Sequence, residues 1–185
     1  RQYAIDNAHR IKGLGPNSWG MSACISPSTG YSGLYGSHPI GVGHKLLEDG
    51  TVAPYGALSF LPFIPQESKA ALEHMYKIPG LVGKYGLYDA YSYATKANGD
   101  QPWIGKSYLG IDKGLVLLMF ENYSTQLIWK LLHQNKSIQK GLKRLEFSQT
   151  NQKNLIFPVN IVPVLIFLKV SLYFHFLLAH FGDGE

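Results

Sequence analysis

Twelve glycines and prolines lie between residues 13 and 52, a density that fits neither a long helix nor a long strand. A connection of this length is uncommon in a compact domain unless it builds a functional site or is disordered. Its aromatic residues, Trp19, Tyr31 and Tyr35, favour order because such rings need a packed environment. We therefore expect an ordered, site-forming loop here and a second one over residues 80–110, which are again rich in Gly and Tyr.

Around these loops, apolar residues recur at helical spacing. Pro54 and Pro65 each fit the first turn of a helix, and the strongest apolar run covers residues 115–120. Helices are predicted near residues 3–11, from residue 51, and over residues 65–76, 113–133 and 137–145. Helices that alternate with long loops indicate an all-α fold whose loops gather at one end.

Composition limits the ligand classes. Aromatic residues make up 13% of the chain, with 12 Tyr, and charged residues only 16%. Such loops suit a neutral, hydroxylated ligand, because an aromatic face packs against the C–H face of a sugar. The alternative is that Tyr fills a half-exposed core, and composition alone favours it. The net charge of +5 raises nucleic acid as a partner, but the clustered basic residues near the last helices include one interleaved aromatic, Trp129, so none is expected.

Cysteine and histidine do not suggest a metal. Cys24 is the single cysteine, which excludes an internal disulfide. The seven His include no pair at H-x-x-x-H spacing. We expect neither a metal site nor a cofactor.

The chain changes character after residue 147. Residues 161–181 are apolar apart from Pro163, Lys169, Ser171, His175 and His180. This length matches a membrane span, yet ionisable residues are costly within a bilayer. We interpret residues 148–185 as an atypical apolar tail, either a read-through extension or a span, and any membrane contact is expected through this tail alone.

Among the few carboxylates, Asp112 is the most informative. It stands at the start of the long apolar helix, where the helix dipole and free N–H groups favour its ionised form. An ionised carboxylate at the rim of a pocket can act as a general base or a nucleophile. The alternative is that Asp112 only caps the helix, and this residue taken alone favours the cap.

Glu121 supplies a second carboxylate, in the middle of the same helix. Buried there, it could act as a general acid or tie down a neighbouring loop. Nine residues separate it from Asp112, which means about 180° of rotation and about 13 Å of rise. The two therefore cannot easily flank one glycosidic bond, where carboxylates stand roughly 5–10 Å apart. Either Asp112 pairs with a loop residue such as Asp89, or its partner lies outside this chain.

Six blocks of sequence in a fixed order form a larger pattern. They are Asn17-Ser18-Trp19-Gly20, Asp49-Gly50-Thr51-Val52-Ala53-Pro54 with Ala57-Leu58-Ser59, Gly83-Lys84-Tyr85-Gly86-Leu87-Tyr88-Asp89-Ala90, Tyr108-Leu109-Gly110-Ile111-Asp112-Lys113-Gly114, Glu121-Asn122-Tyr123 and Gly141-Leu142-Lys143-Arg144-Leu145. This pattern resembles the glucoamylase-like family. The resemblance implies an (α/α) toroid, of which residues 1–147 would be the C-terminal half, with a substrate cleft at the loop end. Members of the family are glycoside hydrolases and related transglycosylating domains that act on β-1,2-glucans.

Carried onto this chain, the resemblance implies a glycoside hydrolase that acts on a glucan by carboxylate acid/base catalysis. Asp112 becomes the first candidate for a catalytic carboxylate, with Asp89 and Glu121 behind it. The implied substrate-binding residues are Asn17, Trp19, Lys84, Tyr85, Tyr88 and Tyr123. Two positions depart from the family, which usually has Arg in place of Ser124 and Gly in place of Gln126.

The resemblance also implies a cellular location. Family members are usually exported bacterial proteins, so we expect a periplasmic or secreted location. Because the N-terminal half of the toroid has no counterpart here, we expect this chain alone to be inactive. Two other functions stay open: a non-catalytic glycan-binding module, which needs the aromatic residues alone, and a membrane-anchored structural protein, which depends on the tail.

Overall fold

The computed structural model describes residues 1–36, 46–94 and 101–147, which form six helices and six short strands. In chain order they are α1 (Gln2–Asp6), β1 (Cys24–Ser26), β2 (Gly30–Ser32), α2 (Pro54–Leu58), α3 (Pro65–Met75), β3 (Val82–Gly83), β4 (Gly86–Leu87), β5 (Ala90–Ser92), β6 (Trp103–Gly105), α4 (Gly110–Thr125), α5 (Leu127–Gln134) and α6 (Lys136–Arg144). They belong to two compact units, residues 1–129 and 130–185.

The predicted all-α class is only partly right, because the described residues form three antiparallel ribbons besides the helices. β1 pairs with β2, β3 with β4, and β5 with β6. All six strands lie in the Gly- and Tyr-rich stretches that we expected to be loops. Their pairing gives backbone N–H and C=O groups the partners that irregular backbone would have to find elsewhere.

The predicted helix starts at the two prolines are confirmed. Pro54 is the first residue of α2 and Pro65 the first residue of α3, positions where the missing N–H of proline costs nothing. The N-terminal helix is shorter than expected, since α1 ends at Asp6.

The helix predicted over residues 113–133 is in fact two helices, α4 and α5, which meet at Gln126. Gln126 has φ 58° and ψ 20°, a left-handed conformation that ends a right-handed helix. The buried side chain of Asn122 bridges the break, because its Oδ1 accepts the N–H of Trp129 at 3.1 Å. That N–H lies in the first turn of α5, where backbone donors have no acceptor within the helix.

Fully buried side chains from α3, β5 and the segments beside them form the core of the first unit. Val52, Met75, Leu81 and Tyr91 are each less than 2% exposed. Val52 and Tyr91 exchange two backbone hydrogen bonds of 2.9 and 3.0 Å, which tie the segment before α2 to β5. The hydroxyl of Tyr91 reaches the hydroxyl of Ser18 at 2.8 Å, so the long N-terminal loop is anchored on the same core.

The loop around Trp19 also packs directly on α2 through two glycines. Gly20 has φ 118°, and a Cβ there would lie 2.7 Å from the carbonyl oxygen of Ala53. A Cβ on Gly56 would lie 2.7 Å from the carbonyl oxygen of Gly20. Backbone therefore lies against backbone here, and this contact holds the part of the loop around Trp19 on α2.

Helix α4 buries polar residues and leaves apolar ones exposed. Its buried residues are Asp112 and Asn122, whereas Ile111, Leu117 and Leu118 are 79%, 48% and 46% exposed. The usual amphipathic helix does the opposite. The outer side of α4 consequently presents an apolar surface.

The second unit, residues 130–185, is described as far as residue 147. Its helix α6 is capped by Asn135, whose Oδ1 accepts the N–H groups of Ser137 at 2.9 Å and Ile138 at 3.3 Å. The predicted tail, residues 148–185, and its interpretation as a membrane span lie outside the described residues. Among the helices that are described, none has the length and apolar character to cross a bilayer.

Candidate active site

The ribbon β5–β6 brings Asp89 and Asp112 together. Asp89 immediately precedes β5, and Asp112 lies in the first turn of α4, which follows β6 after a short connection. The N–H of Asp89 donates to the carbonyl of Ser107 in that connection, at 3.0 Å. Because β5 and β6 are paired, the start of α4 is held beside Asp89, and the carboxyl group of Asp112 is close enough to that of Asp89 for a hydrogen bond between them to raise its pKa. Of the two partners that the sequence left open for Asp112, the structure places Asp89 next to it.

Both carboxyl groups are buried, with Asp89 5% and Asp112 6% exposed. Oδ2 of Asp89 accepts the N–H of Ile25 in β1 at 2.6 Å. Oδ1 of Asp89 and Oδ2 of Asp112 receive no hydrogen bond from any N–H or hydroxyl group of the described residues. Two acceptor groups in contact need a proton between them, so this pair is built to hold one.

The surroundings of the pair bring the pKa of Asp112, and with it the loss of that proton, close to neutral pH. Burial first, and then the hydrogen bond and the charge of Asp89, raise the pKa of Asp112 to about 7, while the charge of Lys113 acts in the opposite direction. A carboxyl group with a pKa near neutrality can both give and take a proton at ordinary pH. The dipole of α4, which we expected to keep Asp112 ionised, is outweighed by burial and by the neighbouring Asp89.

Helix capping does not explain Asp112. The N-cap of α4 is Leu109, and no side chain makes a capping hydrogen bond there. Asp112 is the third residue of the helix, and its side chain turns to Asp89 instead of the backbone.

Three tyrosines and a lysine form a cluster from the segments that precede Asp89 and Asp112. The rings of Tyr88 and Tyr108 stack at 4.9 Å with an interplanar angle of 30°, and Tyr85 meets Tyr108 edge-on at 5.3 Å. Lys84 lies over the Tyr85 ring at 5.2 Å from its centre. The structure therefore gathers three of the predicted binding residues, Lys84, Tyr85 and Tyr88, around Tyr108, which the sequence did not single out. Tyr108 is the first residue of the sequence block that contains Asp112, and this shared block could have indicated it as a site residue.

The other predicted site residues lie apart from this group. Trp19 is 3% exposed and packs edge-on against Phe60 at 6.4 Å, and its buried Nε1 has no hydrogen-bond partner among the described residues. Asn17 is exposed two residues earlier. Glu121 and Tyr123 are half-buried near the far end of α4, where Oε1 of Glu121 accepts the Thr125 hydroxyl at 2.7 Å. Their catalytic and binding roles stay predictions.

Metal-ligating residues do not cluster in the described part of the chain, where no three His, Cys, Asp or Glu side chains could hold an ion together. Lys113, which the sequence also did not single out, contributes the positive charge beside the pair.

Known proteins are similar to this chain in both sequence and fold. The Glycoamylase (glucoamylase) family model matches residues 1–136. The exo-β-1,2-glucooligosaccharide sophorohydrolase (non-reducing end) of Parabacteroides distasonis is 30% identical over 148 residues, which are 79% of this chain and 19% of that protein.

Two solved structures are similar to this chain. The endo-β-1,2-glucanase of Chitinophaga pinensis, in complex with sophorotriose and glucose, has a TM-score of 0.59 and 36% identity over 80% of this chain and 32% of its own. The β-1,2-glucanase of Parabacteroides distasonis has a TM-score of 0.60 and 29% identity over 78% of this chain and 19% of its own. The chain therefore spans a third or less of the length of these relatives.

Proposed function

Because the chain belongs to the Glycoamylase family, we propose that it supplies part of the active site of a glycoside hydrolase that cleaves β-1,2-linked glucans. The observation that carries the proposal is the buried Asp89–Asp112 pair, which is built to hold one proton at neutral pH. The relatives named above act on β-1,2-glucans according to their names, which supports this substrate class.

The proposed chemistry is transfer of the shared proton. Asp112 holds it and gives it to the leaving oxygen of the glycosidic bond, while Asp89, whose Oδ2 accepts the N–H of Ile25, is held beside Asp112. Hydrolysis of a glycosidic bond requires a proton on the leaving oxygen and a base or nucleophile on the opposite face of the sugar, with the two carboxyl groups roughly 5–10 Å apart. Two carboxyl groups in hydrogen-bond contact are closer than that, so the pair acts as one unit on one side of the bond.

The proposed substrate contacts come from the aromatic groups around the pair. Tyr85 and Tyr88, with Tyr108, offer ring faces and hydroxyl groups to a sugar, and Lys84 offers an N–H donor. For Asn17, Trp19 and Tyr123 the proposal depends on the family resemblance, since they do not join this cluster.

The proposed architecture of the complete domain is the (α/α) toroid of the family. The apolar surface of α4, with Leu117 and Leu118 about half exposed, is where further helices of such a toroid would pack. The proposed location of the complete protein is periplasmic or secreted, as inferred from the family.

The test joins this chain to the rest of a family domain. Residues 1–136 replace the matching segment of the Chitinophaga pinensis endo-β-1,2-glucanase, and reducing sugar released from β-1,2-glucan is measured beside a β-1,3-glucan control. We expect turnover of the β-1,2-linked substrate, with Asp112→Asn lowering kcat by about 100-fold or more because the amide cannot release a proton. Asp6→Asn, an exposed carboxylate on α1, is the matched control.

The same chimera separates the rival functions. Full turnover in Asp112→Asn, with circular dichroism showing a folded protein, contradicts the proposed role of the pair. A folded chimera that binds sophorotriose but does not cleave β-1,2-glucan favours the glycan-binding module.

A further inference from the structure

Lys113 connects the two elements that carry the carboxyl pair. It follows Asp112 in the first turn of α4, and its Nζ donates a hydrogen bond to the carbonyl of Leu87, two residues before Asp89. Nζ also lies 5.5 Å from the centre of the Tyr108 ring, a cation–π arrangement. One side chain thus links the helix that carries Asp112 to the segment that carries Asp89.

We propose that Lys113 is the positioning residue of the Asp89–Asp112 pair: its ammonium group fixes the separation of the two carboxyl groups and keeps one negative charge on them. The proposal builds on the acid/base function above, but the positioning itself can be measured without turnover.

A neutral anchor would be easier to bury than an ammonium group. Burial lowers the pKa of Lys113, and the charges of Asp89 and Asp112 act against that decrease. Conversely, Lys113 is the cation that limits the rise in the pKa of Asp112. The two effects are one interaction seen from both partners, so each group favours the charged form of the other.

Among the described residues, other titratable groups near the pair do not supply a compensating charge. Burial, as the largest cause, raises the pKa of Cys24 and of Tyr55, and the charge of Asp112 raises both further. Both groups are therefore neutral at pH 7. In the part of the chain that the structure describes, the titratable side chains that interact with the pair or with Lys113 are Cys24, Tyr55 and Tyr108, with Asp49 acting on Cys24.

The experiment follows the carboxyl carbons of ¹³C-labelled aspartate by NMR in the 185-residue chain between pH 4 and pH 9. Lys113→Met keeps the length of the side chain and removes its charge, so we expect the titration of Asp112 to move up by about one pH unit or more. Lys113→Arg keeps the charge and should leave most of that titration in place. An unchanged Asp112 titration in a folded Lys113→Met variant overturns the proposal, because a merely structural anchor would affect stability alone.

A second measurement stands if Lys113→Met does not fold. Asp112→Asn removes the negative charge and leaves Lys113 in place, so the ammonium group should lose its proton at lower pH than in the original chain. The Nζ resonance of ¹⁵N-labelled lysine reports this, and an unchanged Lys113 titration contradicts the coupling.

Failure of this inference can be told apart from failure of the glucanase proposal. In the chimera, Lys113→Met should also shift the alkaline limb of the kcat–pH profile upward, because Asp112 must be protonated to act, whereas Lys113→Arg should not. If the original chimera has no turnover but the NMR titration shifts as expected, the glucanase proposal fails and the positioning role stands.

Discussion

Asp112→Asn should change how the stability of the chain depends on pH. In the folded chain the pKa of Asp112 is raised from 3.8 to about 7. As the pH increases between these values, the unfolded chain releases its proton while the folded chain keeps it, so the free energy of unfolding falls. Below this window both states are protonated and the residue contributes nothing. Asn cannot ionise, and its amide can still donate to Asp89, so it mimics the protonated folded state at every pH.

The size of the effect follows from the shift. A change of one pKa unit corresponds to about 1.4 kcal/mol, so the move from 3.8 to about 7 gives at most about 4 kcal/mol. Partial screening by water reduces this to on the order of 2 kcal/mol. The stability of the Asn variant relative to the original chain should therefore increase by that amount as the pH rises from 4 to 8.

Urea unfolding at pH 4.5, 6 and 8, followed by circular dichroism, measures the difference between the two proteins. Taking the difference removes the contribution of other groups that titrate in this range, such as His74, whose pKa is lowered by burial. Asp6→Asn, on the exposed side of α1, serves as the control and should show no such trend. A stability difference that is constant from pH 4.5 to pH 8 would refute the shared-proton description of the pair.

Two further substitutions test the local geometry. Gly83→Ala would place a Cβ 2.6 Å from the Tyr88 hydroxyl, so we expect the free energy of unfolding in urea to fall by about 1–3 kcal/mol. A Cβ in the control, Gly141→Ala on α6, meets nothing within 4 Å and should not destabilise the chain. A Gly83→Ala variant as stable as the original chain contradicts the tight packing of the tyrosines. Gln126→Gly relieves the left-handed strain at φ 58°, so it should stabilise the chain by about 1 kcal/mol and raise the melting temperature. Gln126→Ala should not, and an equal gain from both variants would rule out strain as the cause.

Helix positions were predictable where the signal is local. Pro54 and Pro65 mark helix starts because their rings fix φ and need no N–H acceptor. The break at Gln126 was not predictable from the residue itself, because Gln rarely adopts a left-handed conformation. The indication was indirect: the family usually has Gly there, and Gly is the residue that favours this conformation.

The strands escaped prediction for a different reason. Each has two or three residues, too short for alternation of apolar and polar side chains to be recognised. Their partners are set by tertiary packing, as in the pairing of Ala90 with Gly105, where ten residues connect the two strands.

The carboxyl pair was partly predictable from spacing. Helical geometry separates Glu121 from Asp112 by about 13 Å along α4, which made Asp89 one of two partners left open. Lys113 and Tyr108 were not found, because a lysine next to an aspartate on a helix usually points to solvent. The contacts of its Nζ with the Leu87 carbonyl and the Tyr108 ring show that this lysine turns inward.

The contact between Asp89 and Asp112 also limits where the second catalytic group can lie. Carboxyl groups on opposite faces of a sugar stand roughly 5–10 Å apart, so neither member of a hydrogen-bonded pair can oppose the other. Asp49 is committed elsewhere, since Oδ1 accepts the Thr51 N–H at 2.9 Å and Oδ2 accepts the Tyr35 hydroxyl at 2.8 Å. The relatives extend well beyond the segment that this chain matches. We therefore expect the opposing carboxylate of the proposed hydrolase to come from that remaining part of the family domain, with the pair described here as the proton-holding side.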